Sequence, residues 1–294
     1  MKATARRMIL MVQNINKQNF GGANFVTCYT CHRGDMRPQI TPSLVVQYSE
    51  PVSDPNEVDI DRQMQGAPSP DQVFDKYLQA VGGAQALAGL KSFVLKGTYN
   101  GYDTEFEDVP IEIYGQAPDL RATIVHARGA DSVTTYDGHS GWVFEPDKPV
   151  PMIEVTGGDL EGAKDDAVIS FSAGIRQLRG TWKVGSTTIG DSDVIVAQGT
   201  GGAQPPLKLY FDKSSGLLVR QVRYTQLPIG RVPAQVDYDD YREVAGTGVK
   251  VPYRWTATWV DGRSTTKLTD VQVNLPIEAA RFAKPVPTAK GATK

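Results

Sequence analysis

The stretch LKLYFDKSSGLLVRQVRY, residues 207–224, decides the fold of most of this chain. Two β-rich segments, 207–211 and 217–224, flank the run Asp-Lys-Ser-Ser-Gly at 212–216. Asp, Ser and Gly between two such segments are typical of a tight turn, because these residues tolerate the turn backbone and bond to it locally. The stretch therefore predicts a β-hairpin.

Similar segments lie on both sides of this hairpin. Residues 92–99 (Ser-Phe-Val-Leu-Lys-Gly-Thr-Tyr) are β-rich, and Tyr136-Asp137-Gly138 and Asp261-Gly262 are further turn signals. Short strands at regular spacing favour an antiparallel sheet curled around a helix, or an open barrel. We therefore expect an α+β chain, with a small α-helical module followed by an antiparallel β-sheet or half-barrel domain that carries a helix.

Two helices are predicted before the strands. Residues 2–19 place Met8, Met11, Val12 and Ile15 at i, i+3, i+4 and i+7, which is one apolar helix face, and Gly21-Gly22 ends the helix. A short helix at about 70–90 begins at the capping sequence Ser69-Pro70-Asp71. Its apolar stripe consists of Val73, Tyr77, Leu78 and Val81.

The region between these helices is rich in proline, which disfavours helix and sheet interiors. Its prolines are Pro38, Pro42, Pro51, Pro55, Pro68 and Pro70. We therefore predict four parts: a module at 1–38, a linker at 39–69, a β-rich domain at 70–285 and a disordered tail at 286–294.

Bulk composition excludes several classes of protein. The chain has 294 residues, 40% hydrophobic and 22% charged, with a net charge of −2 and a pI near 6.0. A nucleic-acid binder usually shows a strong basic excess, and a membrane-spanning helix needs roughly 18 apolar residues in a row. Neither feature is present. The chain has only two cysteines, so no long-range disulfide framework can form.

Those two cysteines form the segment Cys28-Tyr29-Thr30-Cys31-His32. Two thiols at this spacing can add across the two vinyl groups of haem, and the adjacent histidine then becomes an axial ligand of the iron. The pattern predicts one covalent haem c, held by thioethers from Cys28 and Cys31, with His32 on the iron.

A cysteine pair at this spacing can also be a redox pair or part of a zinc site. A thioredoxin-like redox pair should follow a strand and open a helix, whereas this pair follows a helix and a glycine turn. A zinc site would need two further ligands, and the other histidines, His126 and His139, lie far along the β region. The motif itself does not identify the second axial ligand of the iron. Met8 and Met11 are both candidates, since a soft thioether favours ferrous iron.

Two stretches carry a resemblance to a known family: 5–16, ARRMILMVQNIN, and 26–34, VTCYTCHRG. They resemble the photosynthetic reaction-centre cytochrome c subunit family, and more closely its envelope members in non-phototrophic bacteria. In that family a haem unit is a helix with the axial methionine, a turn, and then the cysteine segment. The resemblance implies electron transfer in the periplasm or cell envelope. It favours Met8 as ligand, because Met8 lies seven residues before the aliphatic Ile15, and it keeps Met11 as the alternative.

Members of this family usually carry a further haem unit upstream, and their haem is attached outside the cytoplasm. The apolar run at 8–12 is too short for a secretory signal, which needs about 7–15 such residues. We therefore expect the coding region to extend upstream with a signal peptide, and a second haem is possible in a longer protein.

The β-rich region carries no Gly-x-Ser-x-Gly, phosphate-loop or His-Glu-x-x-His signature. Its strand-and-turn pattern weakly resembles the lipoprotein carriers LolA and LolB, which implies a half-open barrel with an apolar hollow and a possible lipid or other hydrophobic ligand. Five residues are candidates to line the hollow: Phe93, Leu95, Trp142, Trp255 and Trp259. The acidic run 237–241 is predicted to form a strand edge with solvated carboxylates.

The sequence thus predicts an electron carrier and not an enzyme, with Met8 and His32 as axial ligands of one haem and an unidentified redox partner protein. The two rival functions are a thiol–disulfide oxidoreductase that uses Cys28 and Cys31, and a carrier domain for which the haem segment is minor.

Overall fold

The computed structural model of the chain describes residues 2–34, 37, 38, 40, 41, 60, 62–201, 204–227, 230–260 and 262–286. Much of the predicted linker, the turn residue Asp261 and all of the predicted tail except Val286 lie outside these ranges. Among the residues described, no helix combines the length and the apolar character that crossing a bilayer requires.

Five α-helices are present in the described ranges. They are α1 Lys2–Asn19, α2 Cys28–His32, α3 Pro70–Ala80, α4 Gly83–Gly89 and α5 Gly157–Ile169. The predicted helix at 2–19 is confirmed, and Gly21 and Gly22 after it adopt positive φ angles of 60° and 86°, which glycine alone adopts without strain.

The predicted helix at 70–90 begins as expected, because Ser69 Oγ accepts from Gln72 N at 3.2 Å and Gln72 Oε1 accepts from Ser69 N at 2.8 Å. It is broken after Ala80, however. At Gly82 the chain turns with φ 134°, and a Cβ there would lie 2.5 Å from the carbonyl oxygen of Gly248. The break separates α3 from α4, and both contribute side chains to the main core.

The strands of the described ranges form one sheet of thirteen. They are β1 Ser92–Gly101, β2 Val109–Gln116, β3 Leu120–Val125, β4 Ser132–Tyr136, β5 Gly141–Phe144, β6 Met152–Val155, β7 Thr181–Ile189, β8 Ser192–Gly201, β9 Gln204–Asp212, β10 Leu218–Leu227, β11 Gly230–Glu243, β12 Lys250–Trp259 and β13 Gly262–Val273. The predicted strands at 92–99, 207–211 and 217–224 are β1, β9 and β10.

The sheet order is β6-β5-β4-β3-β2-β1-β13-β12-β11-β10-β9-β8-β7, and the neighbours pair antiparallel. Two meanders, β1–β6 and β7–β13, therefore run outward from a central β1–β13 pair to the edges β6 and β7. The connection between the two edges carries α5, so α5 crosses one face of the sheet. The predicted α+β class and antiparallel sheet with a helix are confirmed.

The main core lies between this face and the helices. Phe74 of α3 packs edge-on against Trp182 of β7 and Phe211 of β9, with ring centroids 5.0 and 6.0 Å apart. Other members of the core are Val73, Tyr77, Leu87, Phe93, Ile111, Ile113, Phe171, Ile175, Leu178, Val184, Leu207, Leu209 and Leu218. Burial of this face against α3, α4 and α5 holds the sheet curled around the helices.

The prediction that the acidic run at 237–241 forms a strand edge is wrong. It lies in β11, which is an interior strand between β10 and β12 and not an edge. Asp237 pairs with Arg220 of β10 at 2.6 Å, and Asp239 pairs with Arg254 of β12. Asp237 and Asp239 are therefore matched by arginines on neighbouring strands, which the order of residues along the chain does not reveal. Asp240 pairs instead with Arg242 of β11 itself.

Candidate functional site

Helix α1 turns one face inward, toward the segment that carries the cysteines. Val12 and Asn16 are buried on this face, while Met8 is half-buried. Met8, Met11 and Val12 lie within one arc of about 100° around the helix, as the spacing predicts, because successive residues are about 100° apart. Met11 is nevertheless 46% exposed, at the edge of this face.

The buried Asn16 joins α1 to the cysteine segment. Its Nδ2 donates to the carbonyl oxygen of Val26 at 2.7 Å, and its Oδ1 accepts from Val26 N at 2.9 Å. One side chain thus satisfies both backbone groups of Val26, two residues before Cys28. This clip, which the sequence reasoning missed, holds the cysteine segment against α1 after the chain has reversed at Gly21 and Gly22.

Helix α2 is a single turn that contains the whole cysteine motif. Thr27 N donates to Thr30 Oγ1 at 3.0 Å at its start, and Arg33, with φ 49°, ends it by donating from N to Tyr29 O at 2.8 Å. Residues three and four apart lie on one side of a helix. Cys28 therefore shares a side with Cys31 and His32, and Tyr29 is 70% exposed.

The residues present fit a covalent haem. Both cysteines are free thiols, Cys28 half-buried and Cys31 exposed. Large apolar side chains within residues 10–29 are exposed, and an exposed apolar patch usually marks a contact surface. These side chains are Leu10, Met11, Phe20, Phe25 and Tyr29. In the described ranges no three His, Cys, Asp or Glu side chains converge in a cluster that could hold a metal ion.

The two remaining histidines lie in the β domain. His126 follows β3, where its Nδ1 is 2.9 Å from Asp131 Oδ1, and His139 is exposed in the turn between β4 and β5. The turn predicted at Tyr136-Asp137-Gly138 is present, and Asp137 Oδ1 accepts hydrogen bonds from His139 N at 2.9 Å and from Ser140 N at 2.7 Å. Both histidines have local structural roles.

A second candidate site is a cavity of about 220 Å³ between the sheet and the helices. Its apolar wall comes mainly from the central strands β1, β11, β12 and β13. The residues of this wall include Leu90, Phe93, Leu95, Val236, Val249, Val251, Trp255, Ala257, Val271 and Val273. Of the five predicted lining residues, Phe93, Leu95 and Trp255 line the cavity. Trp142 and Trp259 do not, because they lie on β5 and at the end of β12, away from it.

One end of the cavity is polar. Asp166 of α5 accepts two hydrogen bonds from Arg223 Nη1 at 2.8 Å and one from Gln221 Nε2 at 3.2 Å. Arg121 of β3 donates to Ser170 Oγ at 2.7 Å. The charge of Asp166 raises the pKa of Arg223, while burial lowers the pKa of Arg121.

Three tyrosines complete the polar end. Tyr238 donates to Gln221 Oε1 at 3.0 Å, Tyr241 donates to Leu218 O at 2.8 Å, and Tyr77 lies 3.0 Å from Ser172 Oγ. Burial raises the pKa of Tyr77 to about 12 and raises the pKa of Tyr238 and Tyr241 as well. All three phenols are therefore neutral at physiological pH.

Comparisons with known proteins concern these two regions separately. Residues 1–85 match the family described as "Photosynthetic reaction centre cytochrome C subunit". That match is longer than the stretch of about 3–38 on which the resemblance rests, and it extends through α3. No curated protein matches the chain.

Solved structures similar to this chain include a LolA superfamily protein from Nitrosomonas europaea, with 15% identity and a TM-score of 0.48, covering 74% of this chain and 99% of that one. A DUF1329 family protein from Desulfovibrio piger has 8% identity and a TM-score of 0.47, with coverage of 72% and 96%. A putative outer membrane lipoprotein-sorting protein domain from Vibrio parahaemolyticus has 10% identity and a TM-score of 0.46, with coverage of 72% and 97%.

At sequence identities this low, the similarity to these structures is a similarity of fold alone. The amino-terminal part of this chain, residues 1–85, thus matches the reaction-centre cytochrome c subunit family, and LolA-superfamily and lipoprotein-sorting domains are among the structural neighbours of the rest.

Proposed function

We propose that this chain is an electron-transfer protein of the bacterial periplasm or cell envelope that carries one covalent haem c. The observation that carries the proposal is the single helical turn α2, in which Cys28 shares a side with Cys31 and His32. The family match over residues 1–85 supports it independently. The envelope is the compartment proposed because bacteria attach haem c outside the cytoplasm.

In this proposal Cys28 and Cys31 each form one thioether bond, with the thiol hydrogen passing to the vinyl carbon that does not bind sulfur. His32 and Met8 would be the ligands that hold the iron. When bound, the haem supplies a one-electron ferric–ferrous couple. The chain's own residues orient it: Asn16 holds the motif against α1, and the apolar side chains of Leu10 and Phe25 exclude water.

Covalent attachment is tested on protein exported to the periplasm of a host that matures c-type cytochromes. Acid extraction is expected to leave the haem spectrum with the polypeptide, and the variant with both Cys28→Ser and Cys31→Ser is expected to lose it. Tyr29→Phe is the matched control, since it changes an exposed residue of the same helical turn and keeps both thiols, so it should keep its haem. Extractable haem would contradict the proposal, and haem-free protein that reduces insulin disulfides would favour the oxidoreductase.

The sixth ligand is tested by two methionine variants. Met8→Ala is expected to abolish the iron–sulfur charge-transfer band of the oxidised protein and to lower the reduction potential, because a thioether stabilises ferrous iron. Met11→Ala removes the same group from an exposed position and should leave both unchanged. The reverse result would assign the ligand to Met11.

A second function is proposed for the β domain, as a carrier of an apolar ligand. It is supported by the partly open cavity of about 220 Å³, whose wall is mostly apolar although it lies beside a packed core. Protein interiors leave few voids larger than a water molecule, so a cavity of this size indicates a ligand. Titration calorimetry should show that decan-1-ol binds saturably, with one decan-1-ol molecule per protein molecule. An absence of binding would refute this function and leave the haem proposal untouched.

A further inference from the structure

The charged groups at the polar end of the cavity do not balance. The charged residues among those that line it are Arg121, Asp166, Arg223 and Lys250, and Lys250 is exposed. Asp166 is the single carboxylate among them, and Arg223 engages both of its oxygens at 2.8 Å. One carboxylate therefore lies beside two arginines, and it is hydrogen-bonded to Arg223.

Arg121 is the cation left over. Its recorded contact is with the neutral hydroxyl of Ser170, at 2.7 Å, and Ser170 Oγ in turn donates to the carbonyl oxygen of Asp166 at 2.7 Å. In the part of the chain that the structure describes, no salt bridge joins Arg121 to a carboxylate, although the charge of Asp166 still acts on Arg121 from farther away and favours its charged form. The neutral phenols around it supply no charge.

Holding a half-buried guanidinium beside an apolar cavity without a bonded counter-ion is costly, since part of its hydration is lost and no ion pair replaces it. The guanidinium is planar and presents paired N–H donors that match the two oxygens of a carboxylate. The position of Arg121, at the junction of the polar end and the apolar wall, therefore suits a ligand that has an anionic head and an apolar tail.

We propose that the cavity binds an acyl chain that ends in a carboxylate, with the carboxylate paired to Arg121 and the chain against the apolar wall formed by Phe93, Leu95 and Trp255. This inference rests on the proposed carrier function of the β domain and adds the chemistry of the head group. Ser170 is the positioning residue, because its hydroxyl fixes one Nη of the guanidinium.

The test compares decanoate with decan-1-ol, which have equal chain lengths and differ in the charge of the head. Calorimetry at about pH 7.5 on the wild-type protein should give at least about 10-fold tighter binding for decanoate, the size of one charge-assisted hydrogen-bonded pair. In Arg121→Gln this preference should vanish while the affinity for decan-1-ol stays the same. Arg128→Gln, in an exposed pair with Glu107, is the matched control and should keep the preference.

Each outcome decides between two proposals. Equal binding of both ligands by the wild type, or a preference that survives Arg121→Gln, overturns the head-group inference and leaves the carrier function standing. Binding of neither ligand refutes the carrier function itself. If Arg121→Gln does not fold, decylamine replaces the variant: it should bind the wild type more weakly than decan-1-ol, and binding as tight as that of decanoate would overturn the inference.

Discussion

At the scale of single residues, Asn16 links helix α1 to the proposed haem site. It is only 3% exposed, although asparagine is usually a surface residue. Its amide makes both of its strong hydrogen bonds to one residue, Val26. A buried polar group of this kind is tolerated because its partners are backbone groups that would otherwise be unpaired after the chain reversal.

Replacing Asn16 tests this role. Asn16→Ala leaves Val26 N–H and C=O without their partner, so the segment should open more readily, by about 2 kcal/mol. Hydrogen exchange at Val26 N is the measurement, and it should accelerate strongly. Asn19→Ala is the matched control, because the Asn19 side chain donates to Ile15 O from an exposed position and its loss should leave Val26 unchanged. Equal exchange rates in both variants would contradict the clip.

At the scale of elements, the segment just before α3 protects the sheet. Ile60 is 5% exposed and packs on the outer face against Val194, Val196, Tyr210 and Val222. Gln63 Oε1 accepts from Val184 N at 2.8 Å, and Met64 N donates to Val184 O at 3.0 Å, on the edge strand β7. An unpaired edge is a template for aggregation, and these contacts satisfy the outward-facing backbone groups of Val184 on that edge.

We expect the segment 60–64, which covers β7, to be part of the folded β domain. Ile60→Ala should lower the free energy of unfolding by about 2–4 kcal/mol, because it leaves a cavity over Gly185 in a packed cluster. Met64→Ala removes a side chain that is 40% exposed and should cost less than about 1 kcal/mol. Urea denaturation followed by tryptophan fluorescence measures both. Similar small effects would mean that residues 60–64 act as linker, as the sequence analysis expects of 39–69.

At the scale of the whole molecule, the two regions differ in how they are stabilised. The sheet and its helices bury a large continuous core, whereas within residues 2–34 only Val12 and Asn16 are buried. A segment of about 35 residues with so little buried surface needs a covalent group or partner for stability. The exposed apolar side chains within residues 10–29 are the surface that the proposed haem would cover, so attachment and folding of this region are expected to be coupled.

The local features of this chain could be predicted from its sequence. Helix 2–19, the Ser69 cap and the Asp212–Gly216 turn depend on residues within a few positions of one another, and Asp212 Oδ1 indeed accepts from Ser215 N at 2.7 Å while Gly216 takes φ 77°. The cysteine motif is equally local, because thioether chemistry is a matter of residue type and covalent spacing. The regular spacing of short β-rich segments also predicted that the sheet is antiparallel.

Only the tertiary structure decided which distant residues meet. β1 lies beside β13, so that Lys91 N donates to Asn274 Oδ1 across 183 positions, and Arg121 reaches Ser170 on α5. Alternation along a strand indicates which side chains share a face but not which strand is the neighbour, since the hydrogen bonds of a sheet are alike for every pair. The interior position of β11, the absence of Trp142 and Trp259 from the cavity wall and the surplus charge of Arg121 follow from strand order, and strand order is set by packing of the whole core.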